Sequence, residues 1–169
     1  NESYTMLDPT IPEFDAALQP LSEAERTYQF EGYLVYQLAN EKVTSADLYD
    51  ITKARLVAQS DVQNGVANIV NFEKDATTGF TVPVLKVQGA DQGIQRSIQI
   101  TEDAFAQGDN RLINHKTYYF MAIAYGYNQY RPYNVGNGTG QDNAFLASRK
   151  SVFGAIKVMA AIPHNTQPA

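Results

Sequence analysis

The sequence predicts an all-β fold, an antiparallel β-sandwich with an irregular N-terminal arm and short helical insertions. Short runs rich in β-branched and aromatic residues recur along the chain, and turn residues separate them about every 8 to 12 residues. No long segment shows the 3.6-residue period of a helix. The length of 169 residues, with 44% hydrophobic and 18% charged residues, is typical of one globular domain with its own core.

The irregular arm is predicted in residues 1–27, because this segment contains three prolines and several acids. Within the arm, Ser22 is followed three residues later by Glu25. This spacing is typical of a capping box, in which each side chain binds the other residue's backbone N–H, so it predicts one helical turn.

The first strand is predicted in residues 28–40, "YQFEGYLVYQLAN". Both faces of this strand contain apolar residues, which is typical of a central strand. Residues 44–56 then predict a short helix or turn, with Ser45 as its cap. Further on, Asn64-Gly65 lies between two β-rich runs, and this dipeptide predicts a hairpin because both residues tolerate a positive φ.

The second half of the chain predicts four strands and one more helical turn. The predicted elements are an edge strand in 81–89 with Pro83, a strictly alternating strand in 93–100, a helical turn in 101–108, the longest apolar strand in 116–127, and a last strand in 151–162.

The stretch Lys116–Asn134, "KTYYFMAIAYGYNQYRPYN", contains six of the chain's 11 tyrosines. Its first half has the two-residue period of a strand. The face predicted to point into the core consists of Tyr118, Phe120, Ala122 and Ala124. The opposite face is also apolar, so we expect it to be covered by the arm or by the long insertion; it consists of Tyr119, Met121, Ile123 and Tyr125.

After Gly126 the alternation stops, and the composition becomes that of a binding loop. Tyrosine offers a large contact area at a small entropic cost, and asparagine and glycine adapt to a partner. The candidate binding residues are Tyr127, Asn128, Tyr130, Arg131, Tyr133 and Asn134. The alternative is that these side chains pack against the domain's own loops, and the sequence leaves both interpretations open.

Two motifs resemble the fibronectin type III domain. "FEGYLVYQ" is similar to its third strand, with Gly32, Tyr33, Val35 and Tyr36 at the characteristic positions. "LINHKTYYFMAIA" is similar to the approach to its sixth strand, in which a leucine precedes a tyrosine by six residues. By this resemblance, Leu112 and Tyr118 are structural residues, and the Tyr118 hydroxyl forms a tyrosine corner by binding nearby backbone. "KSVFGAIKV" would be the seventh strand.

The segments "FEGYLVYQL", "KARLVAQSD", "NGV" and "IVNFE" are also similar to segments of large surface proteins of Bacteroidota that the type IX secretion system commonly exports. The resemblance implies a fibronectin-like sandwich in residues 28–162, a tail in 163–169, and a secreted or cell-surface location. The chain departs from the pattern because it has no tryptophan and residues 1–27 do not resemble the two opening strands. We therefore expect these strands upstream of Asn1, from a partner chain, or in a differently built sandwich.

Composition disfavours several classes of function. The net charge of −5 and the pI of about 4.9 disfavour nucleic acid and anionic membranes as partners. No apolar run reaches the roughly 18 residues of a membrane span. The absence of cysteine excludes disulfides and thiolate metal sites.

No catalytic constellation is visible. The two histidines, His115 and His164, have no metal-ligand spacing, and we expect His115 in an exposed turn. No G-x-S-x-G elbow is present. The strand-adjacent acids are expected to be solvated; they are Glu31, Glu73, Asp75, Glu102 and Asp103. No cofactor is predicted, although Asn137, Asp142 and Asn143 are weak candidates for calcium because their oxygens are hard ligands.

These observations predict a non-catalytic structural, adhesive or assembly module of a secreted bacterial surface protein. Its partners would be neighbouring domains or other protein chains, bound through the tyrosine-rich loop or by strand addition at an open sheet edge. The alternatives are a carbohydrate-binding module and an accessory domain of a secreted hydrolase.

Overall fold

The computed structural model describes residues 5–128, 130–151 and 154–164. It is about 40% β-strand and 4% helix, and its strands pair antiparallel, so the predicted all-β class is confirmed. A sandwich of the fibronectin type III kind stays a prediction.

Eight strands and two single helical turns occur in the described residues. The strands are β1 (Thr5–Leu7), β2 (Thr27–Leu38), β3 (Ala54–Asp61), β4 (Asn68–Lys74), β5 (Thr81–Gln88), β6 (Tyr118–Tyr127), β7 (Phe145–Ala147) and β8 (Met159–Ala161). The helical turns are α1 (Glu23–Arg26) and a 3₁₀ turn (Ser45–Asp47).

The strands form two sheets. In the six-stranded sheet the order is β1-β2-β6-β7, with β3 also paired to β2 and β8 also paired to β6. The second sheet consists, in the described residues, of β4 and β5. β2 pairs with three strands, which confirms the prediction that it is central. β1 pairs with β2 through Thr5 and Gln29, so part of the N-terminal arm belongs to the sheet.

The chain divides into two compact units, and β2, β3 and β6 each contribute residues to both. The first unit consists of Asn1–Gly32, Ser60–Ile94 and Ala124–Ala147. Its buried apolar residues are Ile11, Tyr28, Phe30, Ile69, Val70, Val87, Tyr125, Ala144 and Phe145.

The second unit consists of Tyr33–Gln59, Gln95–Ile123 and Ser148–Ala169. Its buried apolar residues are Leu34, Tyr36, Leu38, Val43, Leu48, Ala54, Tyr118, Phe120, Met121 and Ile123.

The predicted Asn64-Gly65 hairpin is wrong, because β3 pairs with β2 and β4 pairs with β5. Gly65 has a positive φ of 86°, but Asn64 does not, so the two-residue turn that needs both is absent. Instead, the Asp91 carboxylate accepts the N–H groups of Asn64 and Gly65 at 2.8 and 3.0 Å. A side chain 26 residues away therefore decides the path of this turn.

Two of the later strand predictions are also corrected. Residues 93–100 form no strand despite their alternation, because no neighbouring strand pairs with them. The last strand is β8 alone, and the described residues before it contain only an isolated bridge between Ser151 and Gly154. Residues 152–153 of the predicted strand lie outside the described residues. β7 was not predicted, although it pairs with β6 from Tyr125 to Tyr127.

The local helix signals had mixed outcomes. The Ser22–Glu25 capping box is confirmed, with Ser22 N donating to Glu25 Oε2 at 2.9 Å. The cap of the 3₁₀ turn is Thr44 instead of the predicted Ser45, and the Asp47 carboxylate accepts the Thr44 N–H and hydroxyl. Residues 101–108 form turns without a helix. No helix in the described residues is long and apolar enough to cross a membrane.

β6 is covered on both faces, as its sequence predicts, but the deeper face changes along the strand. At its start Tyr118 and Phe120 are buried, as expected. Further on, the opposite face is the most buried part of the strand, with Met121, Ile123 and Tyr125 at 1%, 3% and 1% exposure. The prediction that the even-numbered residues form the core face is therefore wrong for the second half, where Ala122 and Ala124 are only half-buried.

Candidate binding cleft beside the tyrosine-rich loop

The tyrosine-rich loop begins at a buried turn after β6. Asn128 is 1% exposed, and its backbone N–H donates to the Ala144 carbonyl at 2.9 Å. Its side-chain Oδ1 accepts the Tyr130 N–H at 2.8 Å. Asn128 therefore holds the loop in place from within the first unit. Its predicted binding role would need a ligand to reach a buried side chain.

Residues 131–141 form a small closed loop. Asn134 N donates to the Thr139 carbonyl at 2.8 Å, and Gln141 N donates to the Arg131 carbonyl at 3.0 Å. The Asn134 side chain accepts the Gly136 N–H at 2.9 Å. Asn134 thus shapes the tip of the loop, where Val135 is 82% exposed.

Tyr133 packs against the two-stranded sheet. Its ring meets Phe72 of β4 edge-on, with the ring centroids 6.0 Å apart. Gly140 makes this approach feasible, because a Cβ there would lie 3.0 Å from the Phe72 ring and 3.3 Å from Tyr133 Cα. Tyr133 therefore packs against the protein's own residues, as the alternative interpretation of the tyrosines predicts.

Tyr130 and Arg131 line a cleft of about 180 Å³ in the first unit. The Arg131 guanidinium lies 5.9 Å from the centre of the Tyr130 ring. The cleft is lined by Thr10, Ile11, Pro12, Tyr130, Arg131, Gly140, Gln141 and Asp142. One wall thus comes from the tyrosine-rich loop and the other from the N-terminal arm.

A buried polar pair supports this cleft. Gln141 Nε2 donates to Asp8 Oδ2 at 2.8 Å, and both residues are buried, at 7% and 1% exposure. The other oxygen of Asp8 accepts the N–H and hydroxyl of Thr10 at 2.9 and 2.6 Å. Gln141 Oε1 is buried without a hydrogen-bond partner. The buried Asp8–Gln141 pair therefore forms a fixed floor for the cleft.

Of the six predicted binding residues, the structure brings Tyr130 and Arg131 together in this cleft. Tyr127, in β6, lines a different cleft of the same unit. Gln129 lies outside the described residues. Sequence reasoning missed Thr10, Ile11, Pro12 and Gln141. Asp8-Pro9-Thr10 carries a local signal, since an aspartate accepting from the residue two positions on is a common turn.

Tyr118, predicted to be a tyrosine-corner residue, has the expected bond. Its hydroxyl accepts the Ile113 N–H at 2.9 Å, and the residue is 3% exposed. Leu112 and Tyr118 both line an apolar groove of about 550 Å³ in the second unit. The bond to backbone five residues upstream supports a structural role for Tyr118.

The three predicted structural residues in β2 differ in their surroundings. A side chain at Gly32 would collide with the Ser60 carbonyl oxygen and with the Tyr125 hydroxyl, 2.7 Å from the Cβ position. Only glycine therefore allows this close approach. Burial, and to a smaller extent the charge of Tyr49, raises the pKa of Tyr36 to about 12. Tyr33 is half-buried.

Of the three weak calcium candidates, Asn137 makes internal contacts through its side chain, and Asn143 and Asp142 make them through their backbone carbonyls. Asn137 Oδ1 accepts the N–H and hydroxyl of Thr139 at 3.1 and 2.7 Å. The Asn143 carbonyl accepts the Tyr28 hydroxyl, and the Asp142 carbonyl accepts the Phe72 N–H at 2.8 Å. Among the described residues, no group of three or more His, Asp or Glu could hold a metal ion. A calcium site stays a prediction.

The two histidines are neighbours in the fold, although 49 positions separate them in the sequence. Their ring centroids are 5.3 Å apart, and His115 N donates to the Pro163 carbonyl at 3.0 Å. The expected exposed turn at His115 is confirmed, with a φ of 66°.

The expectation of solvated acids is wrong for two of the five, since Glu31 and Asp103 are buried at 3% and 6% exposure. Asp103 has full partners, with Lys116 Nζ at 2.8 Å and Gln37 Nε2 at 2.6 Å. Burial opposes ionisation of Asp103, but the hydrogen bonds from Lys116 and Gln37 outweigh it and lower its pKa. The alternation of apolar residues did not predict that these two carboxyl groups are buried, because their hydrogen-bond partners lie far away in the sequence.

Comparison with protein-family models, with curated proteins and with solved structures finds no match for this chain.

Proposed function

We propose that this chain is a non-catalytic adhesion or assembly module, and that the cleft beside the tyrosine-rich loop is its binding surface. In this proposal the module is a fibronectin-like sandwich of a secreted or cell-surface bacterial protein, and its partner is another protein chain. The partner inserts one side chain into the cleft and covers the exposed loop around it.

The observation that carries the proposal is the pairing of Tyr130 and Arg131 above a fixed floor. Tyrosine and arginine are the residue types enriched where protein interfaces are strongest. The buried Asp8–Gln141 pair holds the cleft wall in place, which reduces the ordering cost of binding. The volume of about 180 Å³ suits one side chain or one small ring.

Strand addition is the less favoured route for a partner at the two-stranded sheet. In the described residues β5 pairs with β4 alone, so its second edge is open. β5 contains Pro83, which has no N–H to donate to a further strand. Pro83 disfavours pairing with a further strand, so the cleft is the better candidate.

A glycan is the second candidate ligand, and the lining of the cleft favours it specifically. A sugar ring can stack on Tyr130 while Arg131 and the exposed Asp142 bind its hydroxyls. The mixture of ring, cation and anion in one small cleft is the basis for this alternative.

The test measures binding of the fluorescently labelled chain to the cells that produce it, by flow cytometry. We expect saturable binding, reduced at least tenfold in the double variant Tyr130→Ala, Arg131→Ala. Protease treatment of the cells should abolish binding if the partner is a protein. Periodate oxidation should abolish it if the partner is a glycan.

Tyr49→Ala is the matched control, because Tyr49 is a 63% exposed tyrosine outside the cleft. It should bind as the unmodified chain does, and circular dichroism should give the same fold for all variants. Equal binding by the double variant, or no binding to the cells at all, would contradict the proposal.

A further inference from the structure

Glu31 in β2 is a buried carboxyl group that is only partly satisfied. It is 3% exposed, and its Oε2 accepts the Asn64 Nδ2 amide at 2.8 Å. Its other oxygen, Oε1, is buried without a hydrogen-bond partner. An unpaired buried carboxylate is unfavourable, so a folded protein that retains one commonly uses it at a binding or catalytic site.

The surroundings of Glu31 are acidic. Burial raises its pKa most, the nearby carboxylates of Asp61 and Asp91 raise it further, and the hydrogen bond from Asn64 opposes them, so that the pKa is about 7. From β6, burial raises the pKa of Tyr125 and Tyr127, and the charge of Glu31 contributes to both. No cation is among the groups that shift the pKa of Glu31.

Glu31 lines a cleft of about 270 Å³ within the first unit. The cleft is lined by Ala24, Glu25, Thr27, Gln29, Glu31, Asn64 and Tyr127. This lining contains two carboxyl groups and no lysine, arginine or histidine. Its volume equals roughly nine water molecules, which is room for an organic group.

We propose that this cleft binds a primary ammonium group on an alkyl chain, such as a lysine side chain. On binding, the Glu31 side chain would turn its buried Oε1 toward the cleft to accept from the ammonium, and the remaining ammonium hydrogens would reach the side-chain oxygens of Thr27 and Gln29. The ring of Tyr127 would pack against the alkyl chain and attract the charge. This site is separate from the cleft at Tyr130 and does not depend on the function proposed there.

An organic ammonium fits the cleft better than a metal ion. In the part of the chain that the structure describes, no group of three or more His, Asp or Glu could ligate a metal. Glu25 is engaged in the capping box, where hydrogen bonds from Ser22 lower its pKa. It therefore adds negative charge to the cleft, while Glu31 supplies the free oxygen.

The test titrates the folded chain with Nα-acetyl-lysine methylamide, followed by the NMR shifts of the residues lining the cleft. The neutral analogue Nα-acetyl-norleucine methylamide, which lacks the amine, should not bind. Affinity should fall roughly tenfold from pH 8 to pH 6, because Glu31 loses its charge while the lysine amine keeps its own. Calcium chloride, titrated in the same way, should leave these shifts unchanged.

Two variants test the residues. Glu31→Gln should abolish lysine binding, and so should Gln29→Arg, which adds a competing cation at an exposed position and preserves the fold. Glu23→Gln is the matched control, because Glu23 is an exposed acid of α1 that does not line the cleft. It should bind as the unmodified chain does.

Three results would overturn the proposal. They are no lysine binding at pH 8, equal binding by Glu31→Gln or Gln29→Arg, and binding of calcium in place of lysine.

Discussion

Glu31 and Asp103 are both buried carboxyl groups, one in each compact unit, and their surroundings are opposite. Asp103 receives hydrogen bonds from Lys116, Gln37 and the Phe105 N–H at 2.8, 2.6 and 3.0 Å. Glu31 receives one from the Asn64 side chain and leaves an oxygen unpartnered. The difference teaches that burial alone does not determine the protonation of a carboxyl group, because the number and charge of its partners decide the direction of the pKa shift.

The same contrast separates two buried tyrosines of β6. The Tyr118 hydroxyl accepts the Ile113 N–H, whereas the Tyr125 hydroxyl is buried without a partner. Ser60 Oγ, next to Asp61 in β3, is also buried and unpartnered. Polar groups in the first unit near Glu31 are therefore less satisfied than those around Asp103 and Tyr118. This is the pattern expected of a binding site, where a ligand supplies the missing partners.

The largest predicted effect is on Glu31. Its folded pKa of about 7 lies above the ordinary 4.5, so the stability linked to this carboxyl is fully present below pH 4.5 and is lost as the pH rises to about 7. Glu31→Gln removes this loss and should raise the free energy of unfolding at pH 8 by about 3 kcal/mol. Urea denaturation at pH 4.5 and pH 8 measures it. An equal effect at both pH values would refute the assigned pKa shift.

The equivalent change at Asp103 should have the opposite sign. Asp103→Asn weakens the charge-assisted bonds to Lys116 and Gln37 and should lower the free energy of unfolding by about 2 kcal/mol at pH 7. Because the folded pKa of Asp103 is lowered, its stabilisation is present above the ordinary value of 3.8 and is lost as the pH falls through the lowered value. The loss in the free energy of unfolding caused by Asp103→Asn should therefore become smaller toward pH 2.

Asp109→Asn is the matched control for Asp103. Asp109 is also paired with a cation, Arg111, but that pair is exposed, and exposed ion pairs contribute little. Urea denaturation of both variants compares them directly. If Asp103→Asn changed stability as little as Asp109→Asn, the contrast with Glu31 would fail.

The smallest predicted effects come from removing the two tyrosine hydroxyls. Tyr118→Phe leaves the Ile113 N–H unsatisfied and should lower the free energy of unfolding by about 1.5 kcal/mol. Tyr125→Phe removes a hydroxyl that has no partner and should leave stability unchanged or raise it slightly. Thermal denaturation of both variants in parallel provides the measurement. Equal losses would mean that the Tyr125 hydroxyl has a partner, such as a bound water.

The sequence predicted those features that depend on neighbours along the chain. β2 and β6 were predicted from their apolar alternation, and the capping box from the three-residue spacing of Ser22 and Glu25. The Asn64-Gly65 hairpin failed although its local signal was strong. Its geometry is decided by Asp91, because the Asn64 and Gly65 N–H groups donate three hydrogen bonds to this distant carboxylate, and these outweigh the local preference for a two-residue turn.

The proposed binding cleft was predicted only in part for the same reason. The composition of the loop indicated Tyr130 and Arg131, and both line the cleft. The opposite wall at residues 10–12 comes from the N-terminal arm, and no local pattern connects it with the loop. The bond between Asp8 and Gln141, which closes the floor, joins residues 133 positions apart.

The sequence by itself determined the all-β class, the two long strands and the cluster of tyrosines in β6 and the loop after it. These follow from residue types and from spacings of two to four positions, which the backbone converts directly into strands and turns. Only the tertiary structure decided that Asp103 lies beside a lysine while Glu31 lies among other acids, and that the arm forms one wall of a cleft. The physical reason is that electrostatic and packing partners are chosen by proximity in space, and strand pairing brings together residues that sequence order does not relate.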